Sequence, residues 1–285
     1  MAARTRAKRR LGAFLAQHRK ATGRTGLSIA QELKLSDATL SRYESGEVLP
    51  AWATVLMLLG VYGAGPEDKK PAEELWDAAK DEPAPVRLPA GTPKSFRRLV
   101  NAEREGEQEW AMEPYTIPGL LQTEAYTRAL VEAAYCFNDP VSRLETVIAT
   151  RAGRQLRLEG ADPLVVHTLI DEAAIMRVVG GADVMREQLE HLLTLGERPH
   201  VTLQVVPFDV GAYGTMSGPC IIIKYPEPEE NPGVYLEYPA GGAWVDDVDD
   251  VRRFTTMFDA VAALALPPDS TVELIQRRIR ALTER

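Results

Sequence analysis

The stretch TGRTGLSIAQELKLSDATLSRYESGEVLP, residues 22–50, decides the reading of this chain. Ile29, Ala30 and Leu33 are apolar at helical spacing, Leu35 closes that short helix, and Ser36 stands where an N-cap side chain accepts a backbone N–H of the next one. Leu40 and Tyr43 give the second helix an inward side, while Asp37, Ala38, Thr39, Ser41 and Arg42 occupy the other. After Glu44 and Ser45, Gly46 can take the left-handed conformation that stops a helix. The expectation is two short helices joined by a tight turn, the second with a polar, uncluttered outer face.

This is a helix-turn-helix pattern, whose second helix lies in the DNA major groove. The short polar residues Ser36, Asp37, Ala38, Thr39 and Ser41, with the long cation Arg42, suit contact with base edges. Arg42 fits a guanine or a phosphate. Asp37 accepts from cytosine N4 or simply favours its own helix N-terminus. Arg24, Thr25 and Gln31, near the start of the first short helix, and Ser45 would hold phosphates and set register without reading sequence.

From Leu11 to Tyr62 the chain resembles the XRE (Cro/repressor-like) helix-turn-helix family, through Arg19, Gly23, Ala30, Ser36, the Leu40/Tyr43 pair, Glu44, Gly46 and Pro50. The resemblance implies a partly buried ion pair between Arg19 and Glu44. It also implies a homodimer on double-stranded DNA, with recognition helices about 34 Å apart on an inverted-repeat operator. Two positions depart from the pattern: Ser28 cannot complete a capping box with Thr25, and Ala51 has no side-chain oxygen to cap the following helix.

Around this stretch, Arg4, Arg6, Lys8, Arg9 and Arg10 read as a basic arm ahead of a first helix carrying Leu11, Phe14, Leu15 and Arg19. Such an arm is a solvated tail or a contact to phosphate or the minor groove. Trp52, Val55, Leu56, Leu58 and Leu59 mark the inward side of a fourth helix, and Leu75, Trp76 and Ala79 a fifth. Residues 1–62 carry ten Lys/Arg against four Asp/Glu, a charge of +6, and the remainder 23 against 37, a charge of −14. A basic head on an acidic body suits DNA binding by the head alone.

Residues 81–95, DEPAPVRLPAGTPKS, read as a proline-rich, semi-rigid linker between a domain at 1–80 and one at 96–285. In the second, helical periodicity runs through Arg104 to Trp110, and a helix restarts from Leu120 to Tyr135 after Pro114 and Pro118. Residues 139–159 form a helix whose Arg143, Arg151, Arg154 and Arg157 are solvated, paired with glutamates, or poised for an anion. Short β-branched or aromatic runs at 163–170, 201–207, 220–225 and 234–238 read as strands, and helices at 182–195, 247–266 and 269–283 complete the chain. The fold class expected is therefore a mainly α head of five helices joined to an α+β domain, a small sheet packed by helices. The 211–218 loop, GAYGTMSG, reads as a hairpin-like connection or a flexible cover.

The runs IPGLLQTEAY, IDEAAIMRVVGG, VMREQLEHLL, RPHVTLQVVPF and VDDVRRFTTMFDAVAALAL resemble the uncharacterised C-terminal domain of antitoxin-like transcriptional regulators from filamentous sporulating bacteria. Those regulators are often encoded beside a small companion protein that binds them, so the resemblance implies a protein partner and assigns no catalytic residue.

Little points to catalysis or cofactors. His18, His167, His191 and His200 lack metal-ligand spacing, and no P-loop, GxGxxG or GxSxG occurs. Asp171-Glu172, at a strand end, is the one carboxylate pair that could serve as acid and base, and Asp171 reads more naturally as an N-cap. Cys136 and Cys220 have no CxxC spacing and suit a reducing compartment. With no signal-like or membrane-spanning apolar run, a cytoplasmic location is expected. The leading expectation is a dimeric transcriptional regulator, a repressor, modulated by the companion protein and neither an enzyme nor a user of metal or cofactor. The alternative is a one-component regulator that senses a small molecule between the sheet and the PGLLQT helix.

Overall fold

A computed structural model describes residues 5–81, 86, 88–89, 91–134, 140–214, 216–226, 231–238 and 241–284. Arg4, Cys136, Pro83, Pro85 and the side chain of Arg143 lie outside the described residues. The chain divides into two compact units, Met1–Pro85 and Val86–Arg285.

The first unit is five helices: α1 (Arg6–Ala21), α2 (Gly26–Glu32), α3 (Asp37–Glu44), α4 (Trp52–Tyr62) and α5 (Lys69–Lys80). Leu11, Leu15, Ile29, Ala30, Leu40, Val55, Leu58 and Leu59 form one apolar core, with Tyr43, Trp52 and Trp76 packed against it. Two details correct the sequence reading. Arg6, Lys8, Arg9 and Arg10 belong to α1 itself, which starts where the Thr5 hydroxyl accepts from Lys8 N at 3.4 Å, and Arg6 and Arg9 are buried. Cations at a helix start oppose its dipole, so the charge run disguised the true beginning. Leu56 points outward with Met57, 37% and 39% exposed.

The second unit is built on a six-stranded mixed sheet in the order β3-β2-β1-β4-β5-β6. Its strands are β1 (Gln108–Glu113), β2 (Val165–Asp171), β3 (Val201–Val206), β4 (Cys220–Lys224), β5 (Gly233–Tyr238) and β6 (Gly241–Val245). The β1, β2 and β3 strands are parallel; β4, β5 and β6 continue antiparallel from the other side of β1. Among the described residues the helices that accompany the sheet are α6 (Lys94–Glu105), α7 (Glu124–Ala133), α8 (Pro140–Gln155), α9 (Glu172–Met176), α10 (Ala182–Gly196), α11 (Val248–Ala262) and α12 (Pro268–Thr283). Apolar side chains of α10 and α12 cluster with those of β2 and β3, those of α11 with Met112, Ile222 and Val234, and those of α6 with Ile221, Ile223 and Tyr235.

Several expectations give way here. The run QEWAME, expected to continue a helix, is the central strand β1, because strong helix formers yield when both strand edges are paired and both faces buried. Leu120 and Leu121 lie in a 3₁₀ turn, and α7 starts only at Glu124, after the Thr123 cap. The glycines of β6 hid an edge strand. The 211–218 loop is no hairpin, since β3 and β4 are separated by β2 and β1; it is tied down where Tyr213 Oη donates to Asp171 Oδ2 at 2.6 Å. Nor is all of 81–95 a spacer: Arg97 donates to the carbonyls of Pro89 and Thr92 at 2.7 and 3.2 Å, holding that segment on the second unit.

The alternation of β1 puts Glu109, Ala111 and Glu113 on one buried face, toward the arginines of α8. Arg154 makes a forked pair with Glu103 of α6, Nε to Oε2 at 2.8 Å, with both side chains buried. Burial, then the Glu103 charge, hold the Glu109 carboxyl well above the usual range. Arg157 braces the region by donating to the carbonyls of Glu103, Gly106 and Asp162. Three of the four arginines of this segment therefore serve the interior, and none of the three is simply solvated.

Burial, then the Glu237 charge, push the Glu113 carboxyl up to about 8, against the opposing pull of Arg151 and Arg154 and a hydrogen bond with Thr116. The unfolded chain ionises this group near its ordinary value of 4.5, so stability is lost as pH climbs from there and the loss levels off above about 8. Glu113→Gln removes that loss. Its melting temperature should exceed that of the wild type by a margin that widens between about pH 5 and 8; a margin independent of pH would contradict the buried carboxylic acid.

Candidate nucleic-acid interface

Local chemistry sets the two helices. Thr25 caps α2 by accepting from Ser28 N at 3.2 Å, and Ser36 caps α3 by accepting from Thr39 N at 3.0 Å. Between them Leu35 N donates to Ala30 O at 2.8 Å, and Lys34 turns the chain at φ 54. At the end of α3, Gly46 takes φ 73, and a Cβ there would also stand 2.6 Å from the backbone nitrogen of Arg9. Position 46 thus needs glycine for conformation and for space. Gly12 of α1 makes the matching approach, since a Cβ on it would lie 2.5 Å from Glu44 O.

The structure joins Arg19 and Glu44 in a two-pronged pair, Nε to Oε1 at 2.7 Å and Nη2 to Oε2 at 2.8 Å. Tyr62 Oη donates to the same carboxylate at 3.2 Å, and Arg19 Nη1 donates to Arg24 O at 3.1 Å. One guanidinium therefore links the end of α1, the turn before α2 and the end of α3. The hydrogen bond that Arg19 donates to Glu44 holds the Arg19 pKa above its ordinary value, while burial and then the Glu44 charge raise that of Tyr62 and keep it a donor. Sequence reading missed Tyr62 and Gly12, because neither a tyrosine on an apolar helix nor a lone glycine in a helix announces such a contact.

Outside this frame, Asp37, Ala38, Ser41 and Arg42 are exposed and form one stripe along α3, with Ser45 half-buried at its end. Arg42 Nε rests on Ala38 O at 3.2 Å, leaving its other nitrogens at the surface. Thr39 sits at the inner edge, half-buried, its hydroxyl 2.7 Å from that of Ser36. Ser36 and Thr39 thus hold the helix start, and Ser36 is exposed. On α2, Thr25 and Gln31 are exposed, whereas Arg24 is engaged by Glu32 and Ser28. Such an exposed pair is worth about 0 to 1 kcal/mol and yields easily to a phosphate.

Elsewhere, Asp171 caps α9 by accepting from Ala173 N at 2.7 Å, and Glu172 accepts from Phe208 N at 2.9 Å, so both carboxylates have structural duties. His167 lies 2.7 Å from Gln204 Oε1 and edge-on to Phe258. Among the described residues no group of three or more His, Cys, Asp or Glu is placed to hold a metal ion, and no helix is long and apolar enough to cross a membrane.

Two capped helices about a tight turn, the second with an exposed polar stripe, define a helix-turn-helix protein, a class of DNA-binding regulators. Residues 10–71 match the family described as a helix-turn-helix domain. Residues 96–277, well over half of the chain, match the family described as Domain of unknown function (DUF5753), and the chain belongs to it. No curated protein and no solved structure matches the chain.

Arg19 and Glu44 are only 17% and 12% exposed, so loss of one strands the other in a largely dry site. Glu44→Ala should destabilise the first unit by about 3 kcal/mol. Chemical denaturation of the wild type and the variant measures this, and coincident curves would show that the pair does not anchor α3.

Proposed function

We propose that this protein is a cytoplasmic, dimeric, sequence-specific transcriptional repressor of the antitoxin-like kind, acting on an inverted-repeat operator. The exposed stripe of Asp37, Ala38, Ser41 and Arg42 carries the proposal, because it is a polar surface running the length of the helix. Arg42 reads a base edge, while Arg24, Thr25, Gln31 and Ser45 grip phosphates. Dimerisation is supported by α4, whose exposed Ala53, Leu56, Met57 and Gly60 recur at helical spacing as an apolar stripe on the first unit. A second copy of the chain covers that stripe, which sets the spacing of the two recognition helices.

The second unit, on this reading, receives a small companion protein encoded nearby, which shifts the dimer between geometries of different DNA affinity. It performs no catalysis and needs no cofactor. A second reading makes it a small-molecule sensor, and one observation favours it: a cavity of about 560 Å³ between the sheet and the turn at 117–122.

Footprinting on the DNA upstream of its own gene, with and without the neighbouring small protein, tests the proposal. Arg42→Ala should weaken the cognate site by about 1 to 3 kcal/mol and relax preference at one base position, whereas Gln31→Ala should weaken all sequences alike. Equal effects of both on cognate and random DNA would undo these roles. Leu56→Lys should convert the dimer to monomer in sedimentation, and a variant that still sediments as a dimer would remove α4 from the interface.

A further inference from the structure

The cavity between the sheet and the turn at 117–122 is lined by both apolar and charged side chains. Phe96, Ile117, Val131, Val147 and Ile221 supply apolar surface, and the Arg154 guanidinium lies 5.4 Å from the centre of the Phe96 ring. The charged groups of the cavity are Glu113, Arg151, Arg154 and Glu237. Its size, about 560 Å³, falls within the roughly 300 to 1,000 Å³ of small-molecule sites.

The two guanidiniums differ. Arg154 is committed to Glu103 through a forked, buried pair. Arg151 has no ion pair or hydrogen bond among the described residues, and its Nε is buried without a partner. It is nevertheless held in place: a Cβ on Gly119 would stand 2.6 Å from its Nη1, so the guanidinium packs on bare backbone. Burial, then the Arg154 charge, lower its pKa to about 10, which leaves it cationic at neutral pH. Glu113, close enough to pull on it, is itself held toward the neutral acid, and Glu237 is exposed, where water and salt screen it. A fixed, partly dry cation on the wall of a cavity that also offers apolar surface is a half-built ion pair. A cationic ligand would meet two guanidiniums, and a single carboxylate matches the single guanidinium left open.

We propose that this cavity binds a small monoanion, a carboxylic acid with an apolar body, whose carboxylate is taken by Arg151 and whose body lies against Phe96, Ile117, Val131 and Ile221. The inference rests on the small-molecule reading of the second unit and gives it a ligand class. The acid completes the pair that the fold leaves open, and the bidentate fork of the arginine fixes its orientation.

Calorimetry on the full chain with octanoate, 3-phenylpropionate and their primary amides tests this. At least one acid should bind with one molecule per chain and at least tenfold more tightly than its amide. Arg151→Gln should abolish that preference, and Arg151→Lys, which keeps the charge but loses the fork, should leave an intermediate one. Val131→Trp, on the apolar part of the lining, should weaken acid and amide by the same factor, which keeps the test sound if the glutamine variant fails to fold. Acids binding no better than amides, or a preference that survives in Arg151→Gln, would overturn the proposal. Operator affinity is measured on the same samples: an acid that binds through Arg151 without changing it upholds the site and removes the sensor reading.

Discussion

The first unit depends on the fork between Arg19 and Glu44. Helices α2 and α3 have only seven and eight residues, too few to hold their shape alone in water, so tertiary contact must fix them. The guanidinium meets the carboxylate at the end of α3 and the carbonyl of Arg24 just before α2, and Tyr62 adds a third helix to the same point. A desolvated pair adds little net stability over an apolar contact of the same shape, but a wrong arrangement leaves both charges unpaired. Its contribution is to select one placement of α3, which Gly12 and Gly46 permit by letting backbones approach without side chains between them.

The second unit uses the same chemistry at greater depth. Glu103 and Arg154 join α6 to α8 in the interior, and β1 brings two further carboxyls to the same side. A central strand with glutamates on a buried face is tolerable because arginines lie opposite and burial keeps protons on the acids. Arg151 is left over from this compensation, and the cavity surrounds it.

Much of the first unit was legible because its signals are local: cap residues, a glycine stop and helical spacing act within a few positions of one another. The same local signals placed Leu40 and Tyr43 inward and the polar stripe outward. They failed where distant parts decide. QEWAME has helix-forming composition and becomes a strand only because two neighbours pair with it, and nothing near Arg151 or Arg154 in sequence discloses Glu103. Arg6 and Arg9 misled through their charge, since a solvated arm and a helix start look alike until packing is known. The 117–122 segment was placed beside a pocket, but the arginine and glutamate that give the cavity its polarity came from elements read separately.

The stripe on α3 shares almost nothing with the frame beneath it. Asp37, Ala38, Ser41 and Arg42 are exposed, and the Arg42 side chain donates to Ala38 of its own helix, whereas Leu40, Tyr43 and Glu44 face inward. Surface exchanges away from caps and cores usually change stability by less than about 0.5 kcal/mol. The four outer letters can therefore be respelled without disturbing the page they are written on; on the proposed reading, such a head changes the DNA it reads while its architecture stands still.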